Sequence, residues 1–276
     1  MPEGAWDCHV HVFGPHERYA LSAQRRYTPG AASRSDLEAM LDRMGIGHAV
    51  LVQPTPYGDD HRCLADALEA FGGRCAGVAC FDPTRPPPDR ELERLAAAGV
   101  RALRLHLLDG PGSDFTDRTR EAAALARAYR WHVELHATAE AFGLVAGIAA
   151  ATGGPVVLDH LAYARPADAG ELTVLLRSEP VFVKLSAPYR YEDAAAATLL
   201  ARTLLERVPD RCLWASDWPH TRAAAPPDRL RPVPFREEDA GRLYDLVFAG
   251  ADADTIALAT REVPRGIYGE QDRPTV

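Results

Sequence analysis

Apolar positions in this 276-residue chain fall into two alternating kinds of segment. Short runs rich in Val, Leu, Cys and aromatic residues read as strands: AWDCHVHV (5–12), GHAVLVQ (47–53), AGVACF (76–81), VRALRLHL (100–107), WHVELHA (131–137), PVVLDH (155–160), VFVKLS (181–186) and RCLWAS (211–216). Longer Ala/Leu/Glu/Arg-rich stretches between them read as helices, among them RSDLEAMLDRM, HRCLADALEAF, DRELERLAAAG, TREAAALARAYR and AAAATLLARTLLERV. The first, third and fourth close at Gly, Gly and a basic residue, as helix C-termini tend to. Eight strands alternating with helices over about 250 residues predict an α/β fold, a (β/α)8 TIM barrel forming a single domain over 1–276. A doubly wound sheet is the structural alternative, but no Gly-x-Gly-x-x-Gly follows the first strand and there is no Walker loop. The Pro-rich pieces 84–88 and 226–234 read as loops.

The first strand carries an unusual polar pattern. In extended chain, residues i, i+2 and i+4 share a face. Asp7, His9 and His11 are then expected on one side, with Cys8, Val10 and Val12 on the other, packed against helices. A strand with one wet face would look like this, and so would a strand aiming two imidazoles at one ion; this segment alone leaves both open.

Barrel enzymes place their chemistry at the C-terminal ends of the strands. Those ends read His9 and His11, Arg104 and His106, His136, Asp159-His160, Lys184-Leu-Ser186, and Ser216-Asp217-Trp218. A lone histidine on an apolar strand is commonly a satisfied core residue. Several at one mouth each need a partner. His9, His11, His136 and Asp217 supply N and O ligands suited to one divalent ion, zinc above all, with a position open to water. His160 would be left for proton transfer. Asp7 is expected one layer below, as partner to an imidazole N–H. Lys184 reads as structural or substrate-facing, and His220 as lining the mouth or supporting the fold.

Composition narrows the class. Thirty-one basic and thirty-nine acidic residues give a net charge of −8, with no Lys/Arg block, so nucleic acid is not an expected partner. Five cysteines, an odd number without a Cys-x-x-Cys pair, argue against a disulfide framework or zinc ribbon and fit a reducing cytoplasm. The opening MPEGAWDCHV lacks the basic and apolar regions of a secretory signal, and the apolar tract 144–158 is interrupted by Thr-Gly-Gly-Pro and too short for a bilayer. A soluble cytoplasmic protein acting on a small molecule is expected, with no membrane partner and a homo-oligomer left open.

The segments DCHVHVFGP, RRYTP, VLVQPT with YGDD, GVRALRL, WHVELH, VVLDH, KLSAPYR and LWASDWPH keep their order over residues 7–220, and VPRGIYG follows at 263–269. Together they resemble the amidohydrolase superfamily, and within it the amidohydrolase-related group of pyrone-dicarboxylate and sugar lactonases. The resemblance implies a hydrolase opening a lactone of a carboxylated or sugar-derived molecule. Asp217 would activate water, His9, His11 and His160 would surround the carbonyl, and Tyr27, Thr55, Arg104 and Arg190 would hold substrate. Two arginines meeting at one pocket would grip a carboxylate; at a barrel rim they would make solvated ion pairs of little consequence. Two departures stand out. His136 replaces a tyrosine of the metal-free pyrone-dicarboxylate enzymes, restoring the ligand set of metal-dependent relatives, though a metal-free mechanism stays open. Gly110 stands where they carry a second carboxylate-binding arginine, so a dicarboxylate substrate does not follow. The alternatives are a metal-dependent decarboxylase or hydratase and, in a different class, a non-catalytic ligand-binding barrel.

Overall fold

The computed structural model describes residues 1–108, 110, 112–222 and 228–269. Within the Pro-rich segment 226–234, Pro226 and Pro227 lie outside the described residues. Eight parallel strands, hydrogen-bonded in sequence order, form the sheet: β1 (Trp6–Val10), β2 (His48–Val52), β3 (Cys75–Ala79), β4 (Val100–His106), β5 (His132–His136), β6 (Val156–Leu158), β7 (Val181–Leu185) and β8 (Cys212–Trp214). The sheet closes on itself just past β8. The Asp217 N–H donates to the His9 carbonyl at 3.0 Å and the His11 N–H to the Trp218 carbonyl at 2.9 Å. This is the expected TIM barrel.

Among the described residues, seven α-helices cross between successive strands: α1 (Arg34–Met44), α2 (Arg62–Phe71), α3 (Asp89–Ala98), α4 (Phe115–Tyr129), α5 (Phe142–Thr152), α6 (Ala169–Ser178) and α7 (Ala194–Arg207). Helix α1 starts at a Ser33/Asp36 capping box and stops at Gly45, whose φ of 67° only glycine adopts readily. The apolar tract 144–158 divides at Gly153-Gly154-Pro155 into the end of α5 and β6. Among the described residues no helix is long and apolar enough to cross a membrane. A short parallel ribbon, Thr28–Pro29 against Pro232–Val233, ties the loop after β1 to the segment after β8, with the Thr28 hydroxyl donating to the Arg229 carbonyl at 2.8 Å.

Strand alternation separates two buried layers. Outward residues such as Leu51, Leu103, Leu135, Leu158 and Val183 pack with Leu37, Leu68, Leu95, Leu172 and Leu204 from the helices, each contributing about 1.5–3 kcal/mol on burial. Inward residues Val50, Val52, Val78, Ala102, Val157, Leu213 and Ala215 fill the lumen.

Strand β1 departs from regular alternation. Asp7 pairs with Ala49 and Val10 with Leu51, so three steps on β1 oppose two on β2, a β-bulge. Cys8 consequently packs with the lumen set and not against the helices, while Val10 and Val12 join the outer core. Asp7 is turned away from the imidazoles: its Oδ1 accepts the backbone N–H groups of Ser216 at 2.9 Å and His9 at 3.3 Å. The extra residue puts His9 and His11 into the barrel without Asp7.

After β8 the chain continues through α8 (Ala240–Phe248) and α9 (Ala253–Ala257) to α10 (Val263–Tyr268). The last of these brings Ile267 and Tyr268 into the lumen layer. Tyr268 is fully buried and donates its hydroxyl to Glu134 Oε1 at 2.6 Å, with Trp6 stacked on its ring. Tyr268→Phe leaves that carboxylate oxygen without its phenolic donor. We expect a loss of about 1.5–3 kcal/mol in urea unfolding, the cost of a hydrogen bond to a charged group; an unchanged midpoint would mean that the barrel floor does not depend on this contact.

Candidate active site

The strand ends converge on a cavity of about 400 Å³ at the barrel mouth, lined among others by His11, Tyr27, Thr55, Arg104, His136, His160 and Arg190. All four residues expected to hold substrate therefore face one space. Arg26, His106 and Arg222 line it too, and sequence reasoning gave them no role there.

Asp217 is completely buried and its two oxygens have different surroundings. Oδ2 accepts the Tyr189 hydroxyl at 2.6 Å and the Arg190 Nε at 2.8 Å. Burial alone would raise its pKa, but Arg190 holds it well below the usual carboxylate range. Oδ1 has no hydrogen-bond partner among the described residues, and lies 3.6 Å from His11 Nε2 and 3.8 Å from His9 Nε2.

The tautomers follow from the other ring nitrogens. His11 Nδ1 sits 2.8 Å from the Val52 carbonyl, which can only accept, so Nδ1 carries the proton and Nε2 presents a lone pair. His9 Nδ1 lies 3.1 Å from both Asp159 Oδ1 and Lys184 Nζ. With Nδ1–H given to the carboxylate, His9 Nε2 also offers a lone pair. Burial, then Lys184, lowers the His9 pKa to about 3, so the ring is neutral at physiological pH. His160 engages the Ser186 hydroxyl through Nδ1 at 2.8 Å. It begins a run of four left-handed residues, with φ of 51°, 56°, 53° and 48° from His160 to Tyr163. Such a run costs roughly 1–2 kcal/mol per residue. It is held by the Tyr191 hydroxyl on the His160 carbonyl at 2.8 Å and by the Ala162 N–H on the Asp159 carbonyl at 2.8 Å.

Beneath this layer lies a buried ionic network. Asp159 accepts Arg104 Nε at 2.7 Å on Oδ2, and pairs with Lys184 at 3.0 Å on Oδ1. Lys184 reaches on to Glu134 Oε2 at 2.5 Å. Lys184 is thus structural, and Asp159, not Asp7, is the carboxylate that orients an imidazole. Arg104 and Arg190 both border the cavity, yet each is first committed to a carboxylate, Asp159 and Asp217. His220 is buried with its ring edge-on to Tyr189, supporting the residue that clamps Asp217.

A divalent ion fits the residues present. Ligand atoms of His9, His160 and Asp217 lie within 4.8 Å of one another, and two of them, His9 Nε2 and Asp217 Oδ1, lack any other partner among the described residues. The trio differs from the expected set. His136 stands outside it because both its nitrogens are engaged, Nδ1 with His106 Nδ1 at 3.1 Å and Nε2 with the Tyr163 hydroxyl at 3.2 Å. His160, expected to remain free, is the nearer ligand, and His11 is turned to Asp217.

This is the arrangement of an amidohydrolase, and the chain belongs to that family, whose model matches residues 6–242. Among its relatives is 2-pyrone-4,6-dicarboxylate hydrolase of Comamonas testosteroni, 33% identical over 241 residues, 80% of this chain and 78% of the relative. Another is 4-sulfomuconolactone hydrolase of Rhizobium radiobacter, 30% identical over 236 residues, covering 80% and 77%. In fold the chain matches the crystal structure of a probable 2-pyrone-4,6-dicarboxylic acid hydrolase from Acinetobacter baumannii with citric acid bound (TM-score 0.76, 24% identity, 97% of this chain and 100% of that one).

Two outcomes are expected from the network. Lys184→Met strands two buried carboxylates and should destabilise by about 3–5 kcal/mol in urea unfolding; a mild effect would show that the network does not depend on the lysine. The second concerns pH. His9 and His106 are held down to about 3, chiefly by burial, so the unfolded chain takes up their protons below pH 6.5 and the folded one does not. Their contribution is present above pH 6.5 and is lost as pH falls toward 3. Asp7 opposes them: burial raises it to about 7, so its contribution is full below pH 3.8 and is lost as pH rises to 7. The urea midpoint should fall on acidification from pH 7 to 4.5, and fall more steeply in Asp7→Asn. A flat profile, or a shallower one in the variant, would contradict these assignments.

Proposed function

We propose that the protein hydrolyses a lactone bearing an anionic group. The observation that carries this reading is Asp217 Oδ1, buried without a hydrogen-bond partner among the described residues and flanked by His11 Nε2 at 3.6 Å and His9 Nε2 at 3.8 Å. In the tautomers set by Val52 and Asp159, His11 Nε2 and His9 Nε2 present lone pairs beside that oxygen, and such a set suits a polarised water. Asp217 Oδ1 takes a proton from water as the hydroxide adds to the lactone carbonyl. Tyr189 and Arg190 fix the carboxylate through Oδ2, so that Oδ1 is the oxygen presented. The tetrahedral oxyanion forms in a cavity whose wall carries Arg26, Arg104, Arg190 and Arg222, and their positive charge favours it. The ring C–O bond then breaks, and the leaving oxygen recovers the proton from Asp217, giving a hydroxy acid. A divalent ion, zinc by ligand type, would be held by His9, His160 and Asp217 and would supply Lewis-acid polarisation of the carbonyl or of water.

Anion preference rests on the cavity wall. It carries Arg26, Arg104, Arg190 and Arg222, and no carboxylate side chain is among its described lining residues. The activities named for the two curated relatives, on a pyrone dicarboxylate and a sulfonated muconolactone, support the same reading.

The test is ring opening of 2-pyrone-4,6-dicarboxylate, 4-sulfomuconolactone and simple carboxylated γ-lactones, followed by proton release. Wild type should turn over at least one of them. Asp217→Asn, nearly isosteric but unable to take the proton, should lower kcat by at least about two orders of magnitude with the fold retained. Turnover of none, or an active Asp217→Asn enzyme, would overturn the proposal.

A further inference from the structure

His136 and His106 lie on neighbouring strands at paired positions in the register, and they meet nitrogen to nitrogen. The left-handed turn after β6 brings the Tyr163 hydroxyl to the far nitrogen of His136. That makes a row of three side chains ending at His106 Nε2, which is buried and has no partner among the described residues. His106 borders the mouth cavity, and with Thr55 and Arg104 it also borders a second cavity of about 360 Å³ that opens beside the mouth. The mechanism above uses none of the three.

The direction of this row is set by elementary chemistry. Both imidazoles are neutral, their pKa values lowered by burial and then by Arg104, so each carries one proton. A phenol hydroxyl is a stronger donor than acceptor toward a neutral imidazole nitrogen. Tyr163 therefore donates to His136 Nε2, His136 must carry its proton on Nδ1, and that proton goes to His106 Nδ1. The one proton of His106 is left on Nε2. We propose that the Tyr163–His136–His106 row holds His106 as its Nε2–H tautomer and that this N–H receives a carboxylate oxygen of the substrate, away from the scissile ester. His106 is then the specificity-determining residue, and His136 and Tyr163 are positioning residues that act through it. Thr55 and Arg104 share its wall on the mouth side, whose described lining holds no carboxylate, whereas the neighbouring cavity also carries Asp59, Asp82 and Asp114, so the mouth is where the oxygen anion is received.

The inference deepens the lactonase reading and rests on it for the identity of the substrate, so its test includes two measurements that need no turnover. The first is ¹⁵N–¹H NMR of the imidazoles: His106 should show an Nε2–H tautomer and His136 an Nδ1–H tautomer, and Tyr163→Phe should leave His106 a mixture. The second is calorimetric binding of isophthalate, an unreactive planar ring with two carboxylates. His106→Leu should weaken it by roughly 10- to 100-fold, as for loss of one hydrogen bond to a charged group. His106→Gln, whose amide nitrogen can replace Nε2, should recover much of it. With a carboxylated lactone, His106→Leu should raise KM far more than it lowers kcat, and its methyl ester should be indifferent to the change. An Nδ1–H tautomer at His106, isophthalate affinity unchanged in His106→Leu, or equal losses on acid and ester would overturn the inference. Wild type that binds isophthalate through His106 yet opens no lactone would refute the lactonase reading alone.

Discussion

Asp159 is fully enclosed in the barrel, and the site depends on its staying ionised there. Burial disfavours the charge, but Arg104 and Lys184 hold the carboxyl well below its ordinary range. Oδ1 serves Lys184 and His9, and Oδ2 serves Arg104. One side chain thus orients the first imidazole, neutralises the lysine that also pairs with Glu134, and fixes an arginine whose far face borders the cavity. A buried ion pair adds little net stability compared with an apolar core, yet removing one member leaves others uncompensated. Its effect here is orientation: it presents His9 to the mouth in one way.

The second constraint is the bulge in β1. Without the extra residue, strict alternation would put Asp7 on the face of His9 and Cys8 on the face of Val10. With it, Cys8 packs in the lumen, both histidines enter the barrel, and Asp7 caps the backbone N–H of Ser216 at the join with β8. That join places His9 and His11 beside Asp217.

The barrel was legible because its strands are short, β-branched and separated by strongly patterned helices. That the candidate site residues would meet at one mouth was legible because polar residues stand at strand ends where an apolar core would otherwise continue. What escaped reading depends on geometry that local pattern does not carry. A bulge is a property of pairing between strands. Asp159 sits in the sequence beside His160, but its three partners come from three other strands. Tyr163 reaches His136 only through a left-handed turn built from Leu and Ala, residues that advertise nothing of the kind. His136 looked like a ligand by position, and its neighbour His106, two residues beyond Arg104, is what engages it. An HxH-like spacing, Arg104-x-His106 beside Glu134-x-His136, was the available signal.

The barrel's closing join also bears on how the chain acquires its chemistry. Asp7 and Ser216 meet across 209 positions of sequence, so bringing His9 and His11 beside Asp217 closes a loop that holds nearly every other strand. Closing so long a loop is entropically slow. A nascent or truncated chain would possess the paired histidines, and even the ionic layer, without the carboxylate that completes them. The chemistry thus belongs to the closed barrel, and recovery of activity during refolding would require the two ends of the barrel to have met.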